Sequence, residues 1–198
     1  MTFESPDTPR ARTRTEWRQY LREQRRVVSN TDAREAAEAV AIRLASSRLW
    51  DAEHIGLYLR NDGEIDPSCI AEAAREAGKH LYLPVTTPEG MQFCEWRATE
   101  PLRRNRYGIG EPTGEPVATE QLQLIVLPTV GWTVRGFRLG MGGGFYDRFL
   151  AGTAAASVKR LGLAYDHQRQ DALEELREAW DQSLDAVLTE STLRSFAD

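Results

Sequence analysis

The stretch RLGMGGGFYDRFL, residues 138–150, combines a run of glycines with charged and aromatic side chains. Glycine is costly in helices and strands, because each one loses much backbone freedom and adds no side chain to a core. Backbone N–H groups exposed between a strand and a helix can hold an anion, most commonly phosphate. The glycines alone fit a tight structural turn equally well. Because Arg138, Tyr146, Asp147 and Arg148 crowd the same turn, we favour an anion site.

The glycine spacing matches neither of the two common phosphate-binding templates. A dinucleotide-binding fingerprint that begins at Gly140 requires glycine or alanine at the position of Phe145. A P-loop requires Gly-Lys-Ser/Thr, which does not follow the nearby pair Gly131 and Gly136. The stretch is therefore neither a Rossmann motif nor a P-loop.

Two carboxylates are candidates for a divalent cation beside such an anion. Asp147 lies in the first turn of a helix predicted to begin within FYDRFLAG, and Asp181 precedes the last predicted strand in AWDQSLDAVLTE. Mg²⁺ binds one or two carboxylates together with phosphate oxygens. Considered alone, Asp147 can be explained as a negative charge that interacts favourably with the helix dipole. Either carboxylate can also be explained simply as a solvated surface group. The magnesium interpretation requires bound phosphates beside them.

Two further polar segments are candidates for ligand contacts. RNDGEIDP, residues 60–67, follows the first predicted strand, at the end where open α/β sheets bind ligands. Glu64 could accept hydrogen bonds from an amino-substituted heterocycle there, although the residues alone favour a polar turn. On the first predicted helix, RTEWRQYLREQRRVVS, helical spacing gives one shared face to Arg18, Arg22, Arg25 and Arg26. Most such stripes are solvated, and phosphate binding requires this face to turn towards the glycines.

Met91 and Tyr107 are the candidates for packing against a flat ligand, since Tyr107 lies among turn-forming residues in RYGIGEP. The neighbouring aromatic side chains Phe93, Trp96 and Trp132 suit a core. No cluster of histidine, cysteine and aspartate has metal-ligand spacing. Metal-dependent hydrolysis and Ser- or Cys-triad chemistry therefore have no support.

Length and composition limit what these candidates can belong to. The chain has 198 residues, of which 41% are hydrophobic and 28% charged, as is usual for one globular domain. We expect residues 1–13 to be disordered and residues 14–198 to form that domain. A net charge of −5 argues against general nucleic-acid binding. No apolar run suits a membrane span or signal peptide, so we expect a cytoplasmic protein without nucleic-acid or membrane partners.

Alternating strands and helices predict an α/β fold, with a mainly parallel sheet flanked by helices and preceded by N-terminal helices. QLQLIVLP, residues 121–128, is the most apolar run and is predicted to be a central strand. Thr31 is the predicted N-cap of the second helix, and Asp66-Pro67 opens a third that ends near Gly78. The remaining strands are predicted at residues 54–59, 80–84, 91–96, 160–166 and 184–190.

Taken together, these features resemble the 5-formyltetrahydrofolate cyclo-ligase family from about Glu16 to Glu190. The strongest match is residues 138–147, which follow the family pattern R-L-G-x-G-x-G-[YF]-Y-D. Weaker matches occur in the family's order: the pair Arg18/Arg22, GEID around Glu64, GIGEP (108–112), LIVLP (124–128) and WD…LDAVLTE. The resemblance implies a single-domain fold of the NagB/RpiA/CoA-transferase-like group and a monomer.

The resemblance also implies an ATP- and Mg²⁺-dependent reaction that converts 5-formyltetrahydrofolate to 5,10-methenyltetrahydrofolate, ADP and phosphate. The formyl oxygen takes the γ-phosphoryl group, folate N10 attacks the activated carbon, and phosphate leaves. Both nucleophiles belong to the substrate, so the enzyme has to position groups and neutralise charge. Two alternatives remain: a relative that binds nucleotide or folate without turnover, and a sugar-phosphate isomerase of similar fold.

Through the same resemblance, each family role is expected at matching residues of this chain. The expected ATP contacts are Arg18, Arg22, Arg138, Leu139, Gly140, Met141, Gly142, Gly143, Gly144, Phe145 and Tyr146. The expected folate contacts are Leu59, Glu64, Met91, Tyr107, Met141, Gly142, Gly143, Gly144 and Phe145. Asp147 and Asp181 are the expected Mg²⁺ ligands, and Arg138 and Tyr146 the expected catalytic residues.

Two positions depart from the family pattern. Gly143 stands where some members carry lysine, so the charge of the γ-phosphate must be met by Mg²⁺, Arg138 and Arg148. The first basic position is often lysine and is Arg18 here, which keeps the charge but changes the donor geometry.

Overall fold

A computed structural model of the protein describes residues 12–152 and 157–196. Its helices are α1 (Arg14–Arg26), α2 (Asn30–Ala45), α3 (Ser68–Glu76) and α4 (Phe145–Ala151). Its longer strands are β1 (His54–Gly56), β2 (His80–Thr87), β3 (Gly90–Glu95), β6 (Leu124–Pro128), β9 (Lys159–Leu163), β10 (Ala186–Leu188) and β11 (Leu193–Ser195). Two-residue strands are β4 (Arg103–Arg104), β5 (Gly110–Glu111), β7 (Gly131–Trp132) and β8 (Arg138–Leu139). Most of the segment predicted to be disordered, residues 1–11, lies outside the described residues.

The longer strands form one seven-stranded sheet in the order β11-β10-β9-β6-β1-β2-β3. Neighbours from β10 to β2 pair in parallel, and β11 and β3 add antiparallel edges. The predicted α/β class with a mainly parallel sheet is therefore confirmed, whereas the narrower fold-group assignment stays a prediction. The apolar run LIVLP supplies β6 at the centre, where Leu124 to Leu127 are fully buried. None of the described helices combines the length and apolar character that a bilayer crossing requires.

The core has a separate cluster of apolar side chains on each side of the sheet. α2 and α3 cover one face through residues such as Val40, Leu44 and Ile70. The other face packs under Leu150 of α4. α1 packs apart from both clusters, because its Leu21 lies among apolar residues from the segments that follow β6. This packing brings the arginines of α1 to the carboxyl edge of the sheet.

β1 and β6 are parallel neighbours, and the order in which the chain adds strands to the sheet reverses between them. The chain continues from β1 to β2 on one side, and from β6 to β9 on the other. Connections that diverge from adjacent strands leave a crevice at the carboxyl ends, which is the usual ligand position in such sheets. The segment GEID lies in the loop after β1, so it faces this crevice.

The second helix is capped by Ser29 rather than by the predicted Thr31. The Ser29 hydroxyl accepts a hydrogen bond from the amide of Asp32 at 3.1 Å, and Thr31 is already inside the helix. Sequence alone does not choose between two capping residues spaced so closely. The third helix begins at Ser68, just after the predicted start, and the Asp66 carboxylate accepts from the Ser68 amide at 2.9 Å.

We expect Ser29→Ala to lower the free energy of unfolding by about 1 kcal/mol, because it leaves the amide of Asp32 without its acceptor. Thr31→Ala is the matched control, since Thr31 is exposed within α2 and alanine has the higher helix propensity. Urea denaturation of the two variants tests this assignment. If Thr31→Ala lost as much unfolding free energy as Ser29→Ala, or more, the assignment of Ser29 as the N-cap would be wrong.

Candidate functional site

A cavity of about 600 Å³ opens at the carboxyl ends of β1 and β6, a volume typical of small-molecule sites. It is lined by almost every site residue predicted from the sequence. The predicted residues found there are Arg18, Leu59, Glu64, Met91, Tyr107, Arg138, Gly140, Met141, Gly142, Gly143, Gly144, Phe145, Tyr146, Asp147 and Asp181. The structure does not bring Arg22 and Leu139 to the cavity: Arg22 binds a neighbouring loop, and Leu139 is fully buried in β8.

The glycine loop, residues 140–144, connects β8 to α4 along one wall of the cavity. Gly142 and Gly144 have φ angles of +99° and +64°, in the region that other residues rarely adopt. A Cβ atom at Gly144 would also lie 2.7 Å from Arg148 Nη1. The glycines therefore permit both the turn and the close approach of an arginine to its backbone.

Arg138 is 3% exposed at the base of this loop. Its Nη1 donates to the carbonyl of Pro128 at 3.1 Å, and its Nη2 lies 3.2 Å from Asp147 Oδ2. The Nε–H group is buried without a hydrogen-bond partner, which costs free energy in a folded protein. Arg138 also lines the cavity, so its guanidinium group is placed next to any ligand bound there.

The arginines of α1, which include Arg14 as well as the predicted stripe, divide into two groups with different partners. Arg14 and Arg18 line the cavity, and Arg18 Nε donates to the carbonyl of Gly140 at 2.9 Å. Arg22 lies about two turns beyond Arg14 and one turn beyond Arg18, and it binds Asp62 at 2.6 Å, outside the cavity. Arg14 and Arg22 are eight residues apart, which is roughly 12 Å along a helix, so they cannot both reach the glycine loop.

Burial and the positive charge of Arg14 lower the pKa of Arg18, which remains ionised. Two guanidinium groups on one cavity wall repel each other, and an anion between them would relieve that repulsion. Asp181 pairs with Arg14 and Asp147 with Arg138, whereas Arg18 forms no ion pair with any described residue. Arg18 is therefore the arginine of this wall that is freest to bind an anion.

Arg25 holds the loop that carries Glu64. Its fully buried guanidinium donates to the carbonyl of Asp62 at 2.8 Å and lies 3.4 Å from Glu64 Oε1. Glu64 Oε2 accepts from the amide of Asn61 at 3.0 Å. Burial raises the pKa of Glu64, and the neighbouring Arg25 opposes that rise. Glu64 is thus fixed at the cavity wall with acceptor capacity left for a ligand.

Asp147 and Asp181 reach the cavity from different parts of the chain. Asp181 forms a bidentate ion pair with Arg14, in which both N–O distances are 2.8 Å. Burial opposes ionisation of Asp181, but hydrogen bonds from Arg14 and the Glu178 amide outweigh it and lower its pKa. Asp147 Oδ1 accepts from the amide of Gln182 at 3.3 Å, which links the two carboxylates through adjacent residues.

This donor set can be compared with what Mg²⁺ requires. Two carboxylates suit a magnesium ion that completes its octahedron with water and phosphate oxygens. Within the described residues no group of three His, Cys, Asp or Glu side chains could hold a metal. Asp147 and Asp181 therefore do not form a protein-only cage, and a metal here would need further ligands from a bound phosphate.

Tyr146 lies where the glycine loop meets α4 and lines the cavity. Burial and then the nearby charge of Glu64 raise the pKa of its hydroxyl well above the usual value. The group therefore stays protonated and is available as a hydrogen-bond donor. The Arg138 guanidinium lies 5.7 Å from the centre of the Tyr146 ring.

Tyr107 stands at the tip of the β4–β5 hairpin, beside the apolar part of the cavity. The Asn105 side-chain oxygen accepts from the amides of Tyr107 at 2.8 Å and Ile109 at 3.1 Å. Glu111 Oε1 in turn accepts from Asn105 Nδ2 at 2.8 Å and from the amide of Thr86 at 2.9 Å. Glu111 thus ties the hairpin to β2 and fixes the segment that carries Tyr107.

Several cavity residues were not predicted from the sequence. The polar and aromatic ones are Arg14, Tyr58, Asn61, Thr86, Asn105, Glu111, Glu178 and Trp180. Arg14 could have been found, because the pair Arg14/Arg18 has the same basic-x-x-x-Arg spacing as Arg18/Arg22. Glu111 and Trp180 belong to the motifs GIGEP and WD, but the sequence of these motifs does not show which of their side chains faces a ligand.

Fold and cavity together define an α/β protein whose cavity is lined by arginines, carboxylates and glycines together with apolar and aromatic groups. The chain belongs to the 5-formyltetrahydrofolate cyclo-ligase family, whose model matches residues 10–190. This confirms the resemblance inferred from the motifs.

The relatives span nearly the full length of the chain. The 5-formyltetrahydrofolate cyclo-ligase of Escherichia coli is 32% identical over 178 residues, covering 86% of this chain and 97% of its own. That of Haemophilus influenzae is 33% identical over 187 residues, covering 88% and 98%. The structure of Aquifex aeolicus 5,10-methenyltetrahydrofolate synthetase has a TM-score of 0.81 at 30% identity and covers 93% of both chains. A Mycoplasma pneumoniae synthetase shares the fold, with a TM-score of 0.73 at 19% identity over 89% of this chain and 98% of its own.

We expect Glu111→Ala to loosen the hairpin, because it removes two hydrogen bonds to a charged acceptor. Amide hydrogen exchange in residues 103–111 should become about tenfold faster, as measured by peptide mass spectrometry. Glu111→Gln should exchange nearly like the wild type, since its amide oxygen can still accept both bonds. Unchanged exchange in Glu111→Ala would show that the hairpin is held by other contacts.

Proposed function

We propose that the cavity converts 5-formyltetrahydrofolate and ATP to 5,10-methenyltetrahydrofolate, ADP and phosphate. Family membership supports the reaction, since the relatives are named for it. The observation that carries the assignment is that one cavity contains both a cluster of arginines and carboxylates beside the glycine loop and a set of apolar and aromatic side chains. A phosphate donor on the charged groups and a flat, largely apolar acceptor on the apolar groups would meet within this cavity.

The cluster of arginines suits the triphosphate of ATP. Arg14, Arg18 and Arg138 present guanidinium groups, whose donor geometry suits phosphate oxygens. Arg18 uses only its Nε in a hydrogen bond to Gly140, and it forms no ion pair with a described residue. The glycine loop exposes backbone beside these groups, so a triphosphate can lie close against it. In this arrangement Arg14 replaces Arg22 as the second contact from α1.

The apolar and aromatic side chains of the cavity suit the folate. Leu59, Met91 and Tyr107 offer packing surface, and Met141 and Tyr107 are among the exposed large apolar side chains of the described chain. Glu64 would accept hydrogen bonds from the amino-substituted pterin. Because Arg25 and Asn61 hold the carboxylate in place, the pterin would meet an acceptor that is already oriented.

The reaction needs two nucleophiles, and both come from the folate. The formyl oxygen attacks the γ-phosphorus and ADP leaves. N10 then attacks the activated formyl carbon, which closes the ring. Departure of phosphate and loss of the N10 proton then give the methenyl product. The protein's part is to align the formyl oxygen with the phosphorus and to balance the charge on the transferring group. Arg138 would bind that group, and the protonated Tyr146 would donate a hydrogen bond beside it.

Asp147 and Asp181 would hold Mg²⁺ together with the nucleotide. When bound, the ion neutralises phosphate charge during transfer. Each carboxylate is paired with an arginine, Asp147 with Arg138 and Asp181 with Arg14. Because the same arginines would bind phosphate, nucleotide and metal are expected to enter together.

The reaction is tested by mixing the purified protein with 5-formyltetrahydrofolate, ATP and Mg²⁺. Formation of 5,10-methenyltetrahydrofolate is followed by its near-ultraviolet absorbance, and ADP is measured in parallel. We expect equal amounts of both products, and none without ATP. Ligand binding without turnover would indicate a non-catalytic relative, and ATP-independent turnover of a sugar phosphate an isomerase; either result would overturn the assignment.

In the same assay, Asp147→Ala should lower turnover by about a hundredfold or more, because it removes a carboxylate proposed to hold the Mg²⁺ that neutralises the phosphate charge. Asp171→Ala is the matched control, since Asp171 pairs with Arg169 on the surface and does not line the cavity. Near-normal activity of Asp147→Ala would remove this carboxylate from the site.

The assignment of Arg14 in place of Arg22 gives a separate prediction. Arg14→Ala should raise the KM for ATP about tenfold to a hundredfold, as expected for loss of a charged hydrogen bond to phosphate. Arg22→Ala should change it less than about twofold, because Arg22 pairs with Asp62 at a partly exposed position. Steady-state kinetics with ATP as the varied substrate compares the two. The reverse order of effects would restore Arg22 to the nucleotide site.

A further inference from the structure

Trp180 is a large aromatic side chain that remains 65% exposed while lining the cavity. Its indole makes no hydrogen bond and no ring contact with any other described residue. Burying an indole is strongly favourable, and aromatic side chains contribute much of the binding energy at ligand sites. An indole left in solvent at a cavity rim therefore marks a surface available to a ligand.

The backbone that carries Trp180 is held in a tight turn. The Asp181 amide donates to the carbonyl of Glu178 at 3.1 Å, so Trp180 occupies a central position of the turn. Asp181 Oδ2 accepts from the Glu178 amide at 2.7 Å and is itself bound by Arg14. The next residue, Gln182, donates its amide to Asp147. The turn is therefore fixed on both sides of Trp180, while the indole stays uncovered.

This turn lies beside charged side chains of the cavity. Trp180 directly precedes Asp181, and the Asp181 carboxylate binds Arg14. The other large exposed apolar side chains of the cavity, Met141 and Tyr107, come from the glycine loop and the β4–β5 hairpin. Trp180 lines the same cavity next to the Arg14–Asp181 ion pair, so a planar group attached to a phosphate on Arg14 would have the exposed indole within reach.

We propose that Trp180 is the platform on which the purine base of the nucleotide stacks. The proposal rests on the proposed function, which places the phosphates on the cavity arginines. A planar base has a π-face that an indole can cover without directional hydrogen bonds. Trp180 would thus contribute affinity for the nucleoside part of ATP and ADP. It would not choose between purines, since stacking tolerates any base.

The test measures dissociation constants by calorimetry for ADP with Mg²⁺, for inorganic triphosphate and for 5-formyltetrahydrofolate. Trp180→Ala should weaken ADP binding about tenfold to a hundredfold, the range found when a base loses an aromatic partner. Binding of inorganic triphosphate, which has no base, should stay unchanged, as should binding of the folate. Trp180→Phe should bind ADP nearly as well as the wild type, because it keeps an aromatic face.

Ile42→Ala is the matched control, since Ile42 is 68% exposed on α2 and does not line the cavity. It should leave all three dissociation constants unchanged. Loss of folate binding with unchanged ADP binding in Trp180→Ala would assign the indole to the folate and overturn the proposal. Equal losses for ADP and inorganic triphosphate, or no loss for ADP, would overturn it as well. These binding measurements are independent of turnover, so a failed assay of the proposed reaction would be recognised separately.

Discussion

The site depends on a buried cation, the guanidinium of Arg25. It contacts the loop after β1 through Asp62 and Glu64, the end of β6 through the carbonyl of Thr129, and the glycine loop through the sulfur of Met141. A buried charge is tolerated only when it is paired and hydrogen-bonded, so these segments must stay together around it. Removing one partner of such a pair typically costs about 3–5 kcal/mol. The relative positions of α1, the Glu64 loop and the glycine loop follow from this requirement.

Charge balance in the cavity follows the same rule. Asp147 and Asp181 each face an arginine, and Arg14 and Arg138 each face a carboxylate. Opposite charges therefore hold the walls in place without a ligand. A phosphate ligand with a metal can take over both sets of contacts, because it offers anionic oxygens to the arginines and a cation to the carboxylates. On this view the cavity is preorganised by the charges that it would use.

Much of the fold could be predicted from local sequence signals. The apolar run LIVLP predicted a central strand, and β6 lies in the middle of the sheet. The small pairings β4–β5 and β7–β8 were not predicted, because two-residue strands are too short to show any periodicity. The cap of α2 was assigned to Thr31, although Ser29 fills that role, because neighbouring hydroxyl residues carry equal capping signals. Motifs with distinctive letters, such as the glycine run, predicted cavity residues well.

The sequence by itself determined the α/β class, the family and the local character of the glycine loop, since these depend on periodicity and on short, specific motifs. Only the tertiary structure decided how the arginines of α1 are used. Arg14, Arg18, Arg22 and Arg25 share one helical face in the sequence, and spacing cannot rank them. The docking of Leu21 against the segments after β6 sets the height of α1 above the sheet. At that position Arg14 and Arg18 lie at the cavity, whereas Arg22 and Arg25 bind the neighbouring loop. The arginines separate in this way because the helix face is longer than the loop that it contacts.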